Sequence, residues 1–121
     1  MTDALSGLRV LIIEDESLVA MLLETILEDL GFTILGPVGT VAEGLTFAND
    51  AQLDAALLDV NVAGELVFPI ATALKQRGVP FVFSTGYGEG GLPPEWRGNI
   101  TIQKPFTEST VQDALIRAIQ G

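Results

Sequence analysis

Four apolar runs in this chain end on side chains able to do chemistry: RVLII is followed by Glu14 and Asp15, AALL by Asp59, FVF by Ser84 and Thr85, and ITIQ by Lys104 and Pro105. Carboxylates, hydroxyls and an amine suit oxygen coordination of a hard cation, nucleophilic attack by a carboxylate, and anion binding. If the runs bring these groups together, two carboxylates about 4 Å apart repel by roughly 4 kcal/mol at an effective dielectric near 20. Three therefore require a compensating cation. Oxygen donors with no nitrogen or sulfur among them favour Mg²⁺, which keeps several waters and commonly shares a phosphate oxygen. A carboxylate beside Mg²⁺ and a lysine is a competent phosphoryl acceptor, because both cations neutralise charge on the incoming oxygens.

The composition excludes much else. With no cysteine and no histidine the chain cannot form a disulfide, a thiolate or imidazole zinc site, a Ser-His-Asp triad or a cysteine nucleophile. Sixteen acidic against six basic residues give a net charge of −10, which repels a phosphate backbone, so no nucleic-acid partner is expected. No apolar run approaches the roughly 20 residues of a membrane span. MTDALSGLRV carries no export signal, so a cytoplasmic protein without a membrane partner is expected. Its 121 residues are expected to form one domain.

The elements that must position these groups follow from periodicity. RVLIIED (9 to 15) reads as a buried strand. SLVAMLLETILEDLGF then places Leu18, Leu22 and Ile26, with Val19, Leu23, Leu27 and Leu30, on one helical face that Gly31 closes. FTILG (32 to 36) is a second strand, Thr40 and Glu43 form a capping box for a second helix, and DAALLDV (54 to 60) is a third strand. A third helix with Pro69 in its first turn runs to about Gln76. PFVFST (80 to 85) and ITIQK (100 to 104) are further strands, and residues 107 to 120 form a closing helix with Val111, Leu115, Ala118 and Ile119 inward. Alternating apolar strands and helices predict an α/β fold, a doubly wound five-stranded parallel sheet. Ligands of such sheets sit beyond the carboxyl ends of the strands, which is where the polar groups stand.

Glu14-Asp15, Asp59, Thr85-Gly86 and Lys104-Pro105-Phe106, in this order at the strand ends, resemble the receiver domain of two-component response regulators. The resemblance covers essentially the whole chain and implies a flavodoxin-like fold of receiver type. It implies that Asp59 is the phosphoacceptor, and that Glu14, Asp15, Asp59 and the backbone carbonyl of Asn61 hold Mg²⁺. Thr85 and Lys104 would contact the phosphoryl oxygens. It also implies a histidine kinase or histidine phosphotransfer protein as donor, a downstream protein partner, a monomer or weak dimer, and no enzymatic activity beyond the domain's own phosphorylation and dephosphorylation. FSTGY (83 to 87) is similar to the FAT GUY motif of stand-alone receivers, whose fourth helix is shortened or replaced by a loop. Three features depart from the family. Its usual Asp-Asp pair is Glu14-Asp15 here, DVNVAGE lacks the common Met-Pro after the acceptor, and Thr101 stands where a switch aromatic is usual.

Plainer readings exist for each residue. Glu14 and Asp15 could simply favour the positive end of the first helix. Lys104 could be a salt-bridge partner of Asp59, and Thr85 an ordinary strand-end hydroxyl. Trp96 and Tyr87 read equally as surface aromatics under the loop or as partner contacts, and Phe68, Phe81 and Phe83 as core. Residues 86 to 98 hold five glycines and two prolines, so this loop is expected to be mobile at rest. A phosphatase of the haloacid-dehalogenase type would need a second Asp where Asn61 stands. Flavin binding would need a Gly- and Ser/Thr-rich loop where EDES stands.

Overall fold

A computed structural model describes residues 6–86 and 91–121. The chain runs through β1 (Arg9–Ile13), α1 (Ser17–Asp29), β2 (Thr33–Val38), α2 (Val41–Asp50), β3 (Ala55–Asp59), β4 (Asn61–Val62), β5 (Glu65–Leu66), α3 (Phe68–Gln76), β6 (Phe81–Thr85), β7 (Thr101–Gln103) and α4 (Glu108–Gln120). Five strands form one parallel sheet in the order β2-β1-β3-β6-β7, and β4 and β5 form a separate hairpin. The order reverses between β1 and β3, which makes the carboxyl ends of these two strands the switch point of the sheet.

Strands covered on both faces must be apolar throughout, and β3 is buried over its whole length. The alternation of its side chains divides the core in two. Leu11, Ile13, Ala56, Leu58 and Phe83 pack with residues of α2 and α3. Val10, Ile12, Leu57, Val82 and Ile102 pack with residues of α1 and α4. The predicted doubly wound sheet is thus the observed one. Thr40 caps α2 by accepting from the Glu43 amide at 3.2 Å, and Thr107 caps α4 by accepting from Thr110.

The first helix differs from expectation. Leu23, Ile26 and Leu27 are buried as predicted, whereas Leu18 is 81% and Leu22 46% exposed, alongside Met21 at 60%. Apolar residues lie almost all round α1, so periodicity alone could not say which stripe meets the sheet. Ala20, Leu23, Ile26 and Leu27 make the close approach, and Leu18, Met21 and Leu22 remain outside.

The second difference lies between β6 and β7. No α-helix occupies this crossover among the described residues, as expected, but its second half is anchored. Pro94–Trp96 form a 3₁₀ turn, and Arg97 Nε donates to the Leu92 carbonyl at 3.1 Å. Leu92 and Trp96 are buried. Trp96 stacks on Phe68 with centroids 5.6 Å apart, meets the edges of Phe81 and Phe83, and lies under Lys75 Nζ at 5.8 Å. The expected mobility is therefore corrected for residues 91–98: one large aromatic anchor offsets the ordering entropy that the glycines and prolines impose. Tyr87, Gly88, Glu89 and Gly90 lie outside the described residues.

Candidate phosphoryl-acceptor site

Alternation along β1, β3 and β7 carries residues 14, 59 and 104 to the sheet face covered by α1 and α4. There the Lys104 ammonium gathers three carboxylates. Its Nζ lies 3.0 Å from Glu14 Oε1, 3.3 Å from Asp59 Oδ2 and 3.7 Å from Glu16 Oε1. The resting lysine thus holds Glu14 at least as closely as Asp59, which the extra methylene of glutamate over aspartate allows. The other oxygen of Glu14, Oε2, accepts from the Glu16 amide at 3.1 Å, at the start of α1. Glu14 accordingly serves the helix end as well as the acid cluster.

Asp15 is exposed, and its Oδ2 accepts from the Ala63 amide at 3.1 Å. Asp59 is 7% exposed and its Oδ1 faces the Asn61 amide at 3.4 Å. One carboxylate oxygen from each of Glu14, Asp15 and Asp59 fits within 4.8 Å of the others, so these acids could hold a metal ion. Hard donors, formally three negative charges against one lysine, and an exposed edge at Asp15 fit a cation such as Mg²⁺ that retains water.

Burial is the largest influence on Asp59, and the neighbouring charge of Glu14 adds to it. Lys104 offsets only part, so the Asp59 carboxyl is pushed up to about 7. Burial opposes the ammonium of Lys104, but hydrogen bonding to Glu14 and the charges of Asp59 and Glu14 outweigh it and raise its pKa. The site is built to attract a cation.

Thr85 closes β6 and is buried, and its carbonyl accepts from the Lys104 amide at 3.0 Å. It follows Phe83 in the strand alternation, so its side chain leaves the sheet on the face opposite Asp59. Lys104, Glu14, Asp15 and Asp59 are therefore together at rest, with Asn61 beside them, while Thr85 stands one strand away.

The segment after Asp59 is a two-stranded hairpin, with Asn61 opposite Leu66 and Val62 opposite Glu65. Ala63 (φ 52°) and Gly64 (φ 84°) supply the two positive φ angles that a type I′ turn requires. Asn61 Oδ1 accepts from the Gly64 amide at 3.1 Å, and the Val67 amide closes the base on the Val60 carbonyl at 3.0 Å. The departure noted at DVNVAGE is thus a hairpin clamped to the site through Asp15. Sequence reasoning missed Ala63 and Glu16. Ala63 acts through its amide and carries no side-chain signal, and Glu16 reads as an ordinary helix-start acid.

Proteins similar to this chain throughout its length are response-regulator receivers of two-component signalling, and the chain belongs to that family. SdrG from Sphingomonas melonis Fr1, known from its solution structure, is 43% identical with 100% of both chains covered and a TM-score of 0.85. The REC domain of the PhyR response regulator from Erythrobacter litoralis is 32% identical, covering 97% of this chain and 93% of that one, with a TM-score of 0.84. The phyllosphere-induced regulator PhyR of Methylorubrum extorquens is 32% identical over 115 residues, which is 92% of this chain and 43% of that protein. The chain thus spans less than half of that relative. No protein-family model matches the chain. No helix of the described residues is long and apolar enough to cross a membrane.

Proposed function

We propose that this chain is a single receiver domain of the stand-alone type that takes a phosphoryl group on Asp59 and signals through protein contacts. The observation that carries the reading is Asp59 Oδ2 held 3.3 Å from Lys104 Nζ, within a cluster of three carboxylates able to share a cation. A nucleophilic oxygen with a cation beside it and room for a second is the arrangement that phosphoryl transfer requires. An Asp59 oxygen attacks phosphorus, the P–N bond of a phosphohistidine breaks as the new P–O bond forms, and the freed imidazole takes a proton from solvent. Hydrolysis returns the carboxylate and inorganic phosphate.

Glu14, Asp15, Asp59 and the Asn61 carbonyl would hold Mg²⁺. When bound, the ion would neutralise charge on the transferring group. Lys104 orients the phosphoryl oxygens, and Thr85 turns toward them. The SdrG structure in its BeF3-activated conformation, 44% identical to this chain with a TM-score of 0.79, supports a phosphoryl-dependent state. A receiver domain of a Pseudomonas aeruginosa sensor histidine kinase, 21% identical and so alike in fold alone, is described with a magnesium ion coordinated in its active site cleft. FSTGY (83 to 87) supports the stand-alone assignment through its sequence.

The donor is a histidine kinase or histidine phosphotransfer protein. Its contact surface is the exposed strip of Leu18, Met21 and Leu22, because Leu22 lines a groove of about 340 Å³ together with Glu16, Lys104 and Pro105, and Lys104 reaches Asp59 at 3.3 Å. The output is a downstream protein, in keeping with the description of Bartonella quintana PhyR, 25% identical, as an anti-anti-sigma factor. The protein is cytoplasmic, monomeric or weakly dimeric, without a nucleic-acid or membrane partner, and catalyses only its own phosphorylation and dephosphorylation. Incubation with acetyl phosphate and Mg²⁺ tests the reading by intact mass. Wild type should gain one phosphate and Asp59→Asn none; equal gain in both refutes the assignment.

A further inference from the structure

Two hydroxyls end β6, and the one that shares a sheet face with Asp59 is Ser84. Its Cα is paired with Asp59 on one side and with Ile102 on the other. Val82, two residues earlier, packs with Leu57 and Ile102 on the face of α1 and α4, and alternation carries Ser84 to that same face. Asp59 and Lys104 follow Leu57 and Ile102 in the same way, so Ser84 stands between the strand of the acceptor and the strand of the lysine. Ser84 is 2% exposed, and its Oγ has no hydrogen-bond partner among the described residues.

A buried hydroxyl without a partner is a net cost to a fold, and alanine at this position would avoid it. The cost is recovered if a partner arrives in another state of the protein. A phosphoryl group on Asp59 brings new acceptor oxygens to this face, whereas the resting carboxylate is already engaged by Lys104 and the Asn61 amide. We propose that Ser84 is a further positioning residue of the phosphoryl site, its hydroxyl donating to the phosphorylated Asp59 side chain. This role rests on Asp59 being the acceptor. It is separate from that of Thr85, whose side chain must come round from the opposite face.

Beryllofluoride with Mg²⁺, which stands in for the phosphoryl group, and acetyl phosphate test the proposal on wild type, Ser84→Ala and Ser84→Cys. Ser84→Ala removes the unpartnered hydroxyl, so the metal-free protein should melt about 2–6 °C higher. Its beryllofluoride affinity should fall about tenfold, and its acyl phosphate should decay correspondingly faster. Ser84→Cys keeps the shape with a weak donor and should lose most of that affinity too. Unchanged affinity in Ser84→Ala overturns the proposal, as does a lowered metal-free melting temperature, which would mean that the hydroxyl is bonded at rest. If wild type itself takes neither beryllofluoride nor phosphate, the acceptor reading fails and the role of Ser84 falls with it.

Discussion

Lys104 Nζ lies 3.0 Å from Glu14 Oε1 while also reaching Asp59 Oδ2 at 3.3 Å. One ammonium thus restrains a candidate metal ligand and the proposed phosphoacceptor together. Removing it leaves two buried carboxylates uncompensated, so Lys104→Ala should cost the metal-free protein on the order of 3 kcal/mol. Mg²⁺ should recover more stability in this variant than in wild type. Urea denaturation with and without Mg²⁺ checks both, and an unchanged metal-free midpoint would contradict the pairing.

The environment of Asp59 makes stability depend on pH with a definite sign. Its carboxyl is pushed from 3.8 to about 7 by burial and Glu14, so the folded protein holds the proton more tightly than the unfolded chain. The stability linked to that proton is fully present below about pH 3.8 and is lost as pH rises through about 7. Asp59→Asn escapes the loss. Without metal, its advantage over wild type should be larger at pH 8 than at pH 4.5 by on the order of 2 kcal/mol. An advantage that does not change with pH would contradict the assignment.

The apolar strip on α1 should matter for a protein donor and not for a small one. Leu18→Ser and Met21→Ser change exposed side chains and should alter stability by less than about 0.5 kcal/mol. Phosphotransfer from a cognate histidine kinase should slow at least about tenfold, an effect of ~1.4 kcal/mol, while labelling by acetyl phosphate keeps its wild-type rate. Equal slowing with both donors would move the donor surface elsewhere.

Trp96 links the β6–β7 crossover to Phe68 at the start of α3, and through Val67 to the hairpin after Asp59. Trp96→Ala should therefore cost about 3–5 kcal/mol. In the native protein, beryllofluoride with Mg²⁺ should shift Trp96 emission, and Thr85→Ala should abolish the shift while metal binding survives. Emission that ignores beryllofluoride would remove the crossover as the responsive element.

The parts legible in the sequence were those that obey local rules. Runs such as AALLD and RVLII announced buried parallel strands, and the acids and lysine that end them reached one sheet edge because strand alternation is strict. The buried stripe of α1 was not legible, since Leu18 and Leu22 are as apolar as Leu23 and Leu27 and only the sheet decides between them. The hairpin hid because Ala63 is an unusual residue at positive φ, where Asn or Gly signals such a turn. Trp96 hid because its stacking partner comes from a different element, so a loop rich in glycine and proline gave no local sign of its anchor.

The acceptor assignment is tested most directly by converting the acyl phosphate to a stable product. Borohydride reduction of protein treated with acetyl phosphate and Mg²⁺ turns a phosphorylated aspartate into homoserine, which peptide mass spectrometry locates. Homoserine at position 59 and at no other aspartate is the expected result. Homoserine at Asp15 or elsewhere with position 59 unchanged, or none in protein that has gained phosphate, would contradict the account.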